Sequence, residues 1–285
     1  MPTLKEIKGR IASVQSTLKI TSAMKLVSSA KLRKAQAAIE SMRPYQAKLQ
    51  EILSTALAGQ AGNDATVIPG NDRESPVVMI ALASNSSLCG AFNANVIAKA
   101  KSILGEHRID RVYSIGRKMA DAMRKAGYPS PEDYSQLSEH PAYNPVADIA
   151  SKLMEEYSQG KIGSVLLVYS HFASTAKQVP VVEPLFQIAG QAQIAGQAGN
   201  DESVILEPSR KELLEALYPK TIKLKLYAAL LDSAAAEHAA RTVAMQTATD
   251  NAEDLLAELT LQYNKGRQQK ITSEILDLAG GQARD

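Results

Sequence analysis

The sequence predicts an α/β chain: a long antiparallel coiled coil of its N- and C-terminal helices, with an α/β domain inserted between them. Three observations predict it. Both ends of the 285-residue chain repeat apolar and small residues in alternating steps of four and three. Between them, apolar runs alternate with amphipathic stretches, as strands and helices do in a mainly parallel sheet. The joins are rich in Gly, Pro, Asn and Asp. The expected boundaries are 1–57 for the first helix, 75–208 for the inserted domain and 209–285 for the last helix.

The last helix is expected from about Ser209, its cap, to Gly281. Beyond Pro219 there is no proline, and the only glycines are Gly266, Gly280 and Gly281. Its seam reads Leu224, Ala228, Leu231, Ala235, His238, Thr242, Met245, Thr249, Ala252, Leu256, Leu259 and Tyr263. From Pro219 onward such a helix would span roughly 90 Å at ~1.5 Å per residue, far more than an ordinary domain. Another element must lie alongside it.

The first helix supplies that element. Its seam runs Ile7, Ile11, Val14, Leu18, Thr21, Lys25, Ser28, Leu32, Ala35, Ile39, Met42, Gln46, Leu49, Leu53 and Ala56. Thr3 followed by Glu6 makes a capping box. Pro44 should bend the helix or disturb one turn. Small residues such as Ala228, Ala235 and Ala252 permit close approach. Polar seam positions (Lys25, Ser28, Thr242, Thr249) lower stability but pin register. The plainer alternative is two separate helices packed on a globular core.

Residues 58–73 read as a linker, and Pro76 opens the inserted domain. The run 77–83 is a strand covered on both faces, followed by a polar turn at 84–87 and a helix over 91–104. Strand 111–115, helix 117–126, a proline-punctuated stretch 128–143, helix 145–159 and strand 164–172 follow. Residues 178–188 form a strand whose Pro180 and Pro184 confine it to an edge. The tandem QIAGQA repeat at 187–198 reads as a low-complexity loop, and a short strand at 203–206 closes the domain. Alternating strands and helices make the insert Rossmann-like.

Composition narrows the function. No apolar run approaches the ~20 residues of a membrane span, and residues 1–10 are too charged for a signal peptide. The single cysteine, Cys89, excludes intrachain disulfides and cysteine zinc sites and points to a reducing interior. The net charge of +2 hides a segregation: residues 1–57 carry ten Lys/Arg against three acids. A basic helix face suits an acidic protein surface, anionic lipid or nucleic acid, or is simply solvated. Nucleic acid is the weakest of these, because aromatic residues do not interleave with the arginines.

Chemistry is hard to find. The turn after the first strand, SNSSLCGAFN, lacks a G-x-G-x-x-G, a Walker lysine and a nucleophile elbow. Cys89 has no base identified for it and reads as a small buried residue. His107, His140, His171 and His238 show no ligand spacing, and Asp250, Glu253 and Asp254 look like helix surface. No catalytic residue, cofactor site or metal site is expected.

Three segments resemble the gamma subunit of F-type ATP synthases. They are residues 7–34 with Arg43–Tyr45 (RPY), residues 88–93 (LCGAFN where the family has LCGGLN), and residues 241–281. Ile271, Thr272, Glu274, Asp277 and Gly281 match the terminal signature. Departures are Gln282 and Gly266, each in place of an alanine, and residues 85–87 in place of Asp-Arg-Gly. Gly266 is expected to loosen one turn by about 1 kcal/mol relative to alanine.

The resemblance implies a non-catalytic central rotor shaft, one copy per complex. It would stand within three alpha and three beta subunits and reach the epsilon subunit and the membrane c-ring. Membrane contact would be through the c-ring only, on the cytoplasmic face of a bacterial inner membrane. It implies that Met24 and Arg241 lie near the beta-subunit lever, and that Arg267, Gln268, Thr272 and Glu274 meet its catch loop. Charge adds Lys25, Lys31, Arg33 and Lys34 as partners for acidic levers. Ile271, Ile275, Leu278 and Ala279 would form the apolar bearing tip. The absence of a second cysteine argues against thiol regulation of the kind chloroplast members carry. Two other readings compete: a coiled-coil adaptor whose α/β head binds a ligand, and an enzyme using Cys89 or Ser87.

Overall fold

The computed structural model describes residues 3–58, 76–186 and 209–281. The repeat at 187–198 and the expected strand at 203–206 lie outside them, as does the expected linker apart from Ala58. The chain divides into two compact units: Met1–Ser29 with Arg241–Asp285, and Ala30–Ala240. Helix α1 (Leu4–Ala58) and helix α6 (Arg210–Gly281) each contribute to both.

The first unit is a helix pair. Every expected α1 seam position in it, from Ile7 to Ser28, is buried or half-buried. On α6, among the residues beyond Asp250 whose burial is described, the covered positions are Ala252, Leu256, Leu259, Tyr263 and Gly266. That is a stripe of alternating four and three with charged flanks on either side, as a two-helix seam requires. Thr21 and Thr249 meet across it, and Leu4 lies against Gly266. From Leu4 to Thr21 and from Gly266 to Thr249 is the same seventeen residues (21 − 4 and 266 − 249), so the pair is antiparallel and unslipped over that span. The expected capping box closes α1: Thr3 N–H donates to Glu6 Oε2 at 2.9 Å, and Glu6 N–H to Thr3 Oγ1 at 3.3 Å.

The second unit holds the sheet. Strands β1 (Val77–Leu82), β2 (Ile109–Ile115), β3 (Ser164–Phe172) and β4 (Gln178–Pro184) run in the order β2-β1-β3-β4. The first three are parallel and β4 pairs antiparallel with β3. The prolines of β4 sit on an edge strand, where a missing N–H costs no ladder bond. Helices α2 (Phe92–Glu106), α3 (Arg117–Lys125), α4 (Ser135–Glu139) and α5 (Tyr143–Ser158) complete the insert.

Alternation along β1 divides the core. Val78, Ile80 and Leu82 face one cluster with α5 residues Ile149 and Leu153, α1 residues Leu53 and Ala56, and α6 residues Leu226 and Leu230. Met79, Ala81 and Ala83 face the other, with Val96, Ala100, Met119 and Met123 of α2 and α3. A strand covered on both faces needs no polar alternation, which is why its sequence is apolar throughout.

Four local expectations are corrected. Strand β2 begins at Ile109, two residues early, where its pairing with β1 shifts register between Val77 and Val78. Helix α5 begins at Tyr143, because Pro145 falls in the first turn, where its missing N–H has no partner to lose. Helix α4 lies within the stretch expected to be irregular; the Asp133 carboxylate starts it by accepting the Ser135 N–H at 2.9 Å. Strand β4 ends at Pro184 rather than residue 188. Pro44 and Pro219 lie inside helices assigned without interruption.

Candidate functional site

In a doubly wound sheet, ligands bind where the strand order reverses, beyond the carboxyl ends of the two strands that flank the reversal. Here that place is between β1 and β3. The loop leaving β1 is drawn together there by Asn93. Its Oδ1 accepts the Ser84 N–H at 3.1 Å, and its Nδ2 donates to the Ser86 carbonyl at 3.2 Å and to Cys89 Sγ at 3.1 Å. Leu88 takes a left-handed backbone (φ +66°) and Gly90 another (φ +57°), which turns Leu88 outward and Cys89 inward.

What Cys89 meets is the chain's own last helix. Cys89, Phe92, Ala236 and Ala240 form one buried cluster, with Phe172 from the end of β3 packed against it. Alanines at these helical positions let α6 approach the strand ends closely. The mouth in which this fold class binds nucleotides or substrates is therefore occupied by α6. The thiol is 1% exposed, so Cys89 is not placed as a nucleophile. Among the described residues no three His, Cys, Asp or Glu side chains converge as a metal site.

Asn85, one of the departures from the family pattern, ties three elements together. Its Nδ2 donates to the Ser135 carbonyl at 2.9 Å and to Glu139 Oε1 at 3.0 Å, and its Oδ1 accepts the Arg117 N–H at 2.9 Å. That amide bond holds the Glu139 carboxyl below its ordinary range, with Lys31, Arg117 and His140 acting in the same direction. Gly116 (φ +97°) brings the start of α3 against β1: a Cβ there would lie 2.0 Å from the Ala83 carbonyl oxygen.

A cleft of about 650 Å³ opens between α1, α6 and the β3–β4 hairpin. Ile39, Met42 and Leu224 line it beside Glu183, Lys225 and Asp232. Burial lowers the Lys225 ammonium from its ordinary value, and Glu183 opposes that shift.

The expected contact residues separate by exposure. In the first unit Met24 and Lys25 are half-buried, Lys25 on the seam itself. The Thr21–Thr249 register sets Arg241 level with Ser29, a turn beyond Lys25, and Arg241 is buried and engaged. Arg267, Gln268, Thr272 and Glu274 are exposed. Thr272 Oγ1 donates to the Gln268 carbonyl at 2.9 Å, and Glu274 pairs with Lys270 at 3.7 Å. In the second unit Lys31, Arg33 and Lys34 are exposed. Of the expected apolar tip, Ile271 and Ile275 are exposed, while the side chains of Leu278 and Ala279 lie outside the described residues.

Sequence reasoning missed the other large apolar residues that the first unit exposes. Ile20, Leu26 and Val27 on α1, and Val243, Leu255, Leu261 and Leu276 on α6, all stand free of the seam. Their signal was present: large apolar residues off a coiled-coil seam have no core of the helix pair to enter.

Comparison with known proteins gives concordant results. A family model described as ATP synthase matches residues 3–283. The chain is 45% identical over 287 residues to the ATP synthase gamma chain of Phocaeicola vulgatus, covering 99% of each. It is 39% identical over 284 residues to that of Pelotomaculum thermopropionicum, again covering 99% of each. In fold it is similar to a chain of the Euglena gracilis mitochondrial ATP synthase rotor, with a TM-score of 0.62 at 19% identity, covering 94% of this chain and 98% of that one. A chain of the Tetrahymena thermophila central stalk and c-ring structure gives 0.55 at 21% identity, covering 80% and 99%.

Proposed function

Because the chain belongs to the ATP synthase gamma-chain family, we propose that it works as the central rotor shaft of the complex and carries no chemistry of its own. It joins ion flow through a membrane c-ring to ATP synthesis or hydrolysis on three alpha and three beta subunits, with one copy per complex. The epsilon subunit meets its inserted domain. The complex sits on the cytoplasmic face of a bacterial inner membrane, and this chain touches the membrane sector only through the c-ring.

The observation that carries this reading is the self-filled sheet crevice. Ala236 and Ala240 occupy the position where the fold class would hold a ligand, and Cys89 is sealed beneath them. The filled crevice counts against an enzyme built on Cys89 and against an adaptor that binds its ligand there. The exposed apolar and basic side chains of the long helices suit a surface that slides against protein partners.

Rotation works by presenting a different side of the shaft to each beta subunit, which shifts the populations of its open and closed states. In this reading Met24, Lys25, Lys31, Arg33, Lys34 and Arg241 serve the acidic levers. Arg267, Gln268, Thr272 and Glu274 serve the catch loop. An arginine forks onto a carboxylate with directional bonds that can be made and broken once per turn. Ile271, Ile275, Leu278 and Ala279 turn in an apolar collar.

The test is reconstitution with cognate alpha and beta subunits, following ATP hydrolysis and the rotation of a bead. The bead is attached through a cysteine introduced at an exposed position such as Lys101, since Cys89 is buried. Hydrolysis and stepwise rotation that require this chain, with torque weakened by truncation after Asn264, are the expected results. Hydrolysis unchanged by its omission would remove the rotor reading.

A further inference from the structure

Three side chains of α6 lie seven residues apart and each bonds to main-chain atoms of the sheet domain. Tyr218 donates its hydroxyl to the Phe186 carbonyl at 2.9 Å. Lys225 donates its ammonium to the Pro184 carbonyl at 2.6 Å. Asp232 accepts the Phe172 N–H on Oδ1 at 3.0 Å and holds His171 Nδ1 at 2.6 Å on Oδ2. Steps of seven return to nearly the same helix face, so the three form a line about 21 Å long at ~1.5 Å per residue.

The sheet partners belong to one edge hairpin. Pro184 pairs with Leu166 at its open end and Phe172 with Gln178 next to its turn, so the line follows the hairpin lengthwise. Phe172 engages α6 twice: its amide sits on Asp232, and its ring packs against both alanine clusters of the helix, Ala236 with Ala240 and Ala235 with Ala239. Apolar contacts among alanines resist separation but are weakly directional, so they permit sliding. Hydrogen bonds to fixed main-chain atoms lose strength as soon as distance or angle changes, so they resist it.

We infer that Tyr218, Lys225 and Asp232 form a shear-bearing joint that passes torque from the inserted sheet domain into α6. The inference rests on the rotor reading above. It assigns a load-bearing role to three residues that bond to the main chain of the hairpin and its continuation.

The test uses the complete complex in phospholipid vesicles, with this chain as its gamma chain and with Tyr218→Phe, Asp232→Ala and Asp232→Asn as variants. ATP hydrolysis without a gradient is compared with ATP synthesis driven by a full ion gradient. Tyr218→Phe, which removes one hydrogen bond, should keep hydrolysis but lower synthesis by up to about fivefold, the factor by which one net hydrogen bond shifts the balance of opened and closed joint, and Asp232→Ala, which removes two, should lower it at least as much. Asp232→Asn retains an oxygen for the Phe172 N–H and should recover most of the loss. Equal losses with and without load would mark a merely structural role and overturn the inference, as would wild-type synthesis in both variants. If Asp232→Ala fails to assemble, Tyr218→Phe, which loses a single oxygen, decides by the same comparison. Failure of the wild-type chain to couple the complex is a different result, and would remove the rotor reading instead.

Discussion

Thr249 donates its hydroxyl to that of Thr21 at 3.0 Å, in the middle of a seam that is mostly apolar or small. Both side chains are more than nine-tenths buried, and each also reaches a carbonyl of its own helix: Thr249 to Met245 at 2.8 Å and Thr21 to Leu18 at 3.1 Å. Each hydroxyl thus keeps a carbonyl of its own helix in any register, and what this register adds is the Thr249 proton, shared with Met245, as a donor to the Thr21 oxygen. A slip of one turn would remove that cross-helix contact.

A double-mutant cycle tests that account. Thr249→Val alone should cost about 1 kcal/mol, because Thr21 loses its cross-helix partner while remaining buried. Replacing both by valine should cost less than the sum of the single changes, since no polar group is then stranded. Thermal melts of the full chain measure the energies. Cysteine cross-linking across the seam in the double variant should capture shifted pairings that the native chain does not form.

Gly266 departs from the family's alanine at a place where the partner helix explains it. A Cβ added there would meet Leu4 Cδ2 at 3.1 Å, the far end of a half-buried side chain near the start of α1. Alanine would raise helix propensity by about 1 kcal/mol but press on that leucine. Gly266→Ala should therefore stabilise the chain by less than this in the native background. In a Leu4→Ala background it should deliver the full amount. Paired melts of the four proteins read out the difference.

The seam was legible because period and burial coincide: each apolar position in steps of four and three proved covered, down to the isolated Leu256 and Leu259. Strand β1 and the edge position of β4 were legible for equally local reasons, an unbroken apolar run and two prolines. Helix α4 was not, because its five residues depend on the Asp133 side chain rather than on any periodicity. Nor was the closing of the crevice, which needs Cys89 and Ala236 to meet across just over half the chain. Tyr218, Lys225 and Asp232 were passed over because they flank the seam, where helix periodicity expects solvent; only the hairpin beside them gives them partners.

Gly116 marks the point of closest approach between α3 and β1. Its φ of +97° suits glycine alone, and the Cβ of an alanine would fall 2.0 Å from the Ala83 carbonyl oxygen, a backbone atom that cannot swing away. Ala83 N–H is itself bonded to Ile115 at 2.9 Å, so the clash would strain the β1–β2 pairing. Gly116→Ala should destabilise the sheet unit by more than about 2 kcal/mol. Hydrogen exchange should register this as faster opening of β1 and β2, with the helix pair formed by residues 3–29 and 241–281 much less affected.

Asn85 must both give and receive hydrogen bonds, and an aspartate at this position can only receive. Asn85→Asp would withdraw the donors to the Ser135 carbonyl and to Glu139, and would set a second carboxylate where the amide stood 3.0 Å from Glu139 Oε1. In the native chain the Glu139 carboxyl lies below its ordinary 4.5. A carboxyl lowered on folding contributes stability that is present above its unfolded value and is lost as pH falls through its folded value. In the variant the sign reverses: two adjacent carboxylates resist joint ionisation, so one is raised, and the folded form gains relative stability as acid protonates it. At pH 7 Asn85→Asp should cost about 1 kcal/mol or more from the lost bonds alone. The gap from wild type should narrow steadily as pH falls below about 5. Melts from pH 7 to pH 4 measure it. A gap that stays constant or widens in acid would show that the amide's donors are not what holds Glu139 and α4 in place.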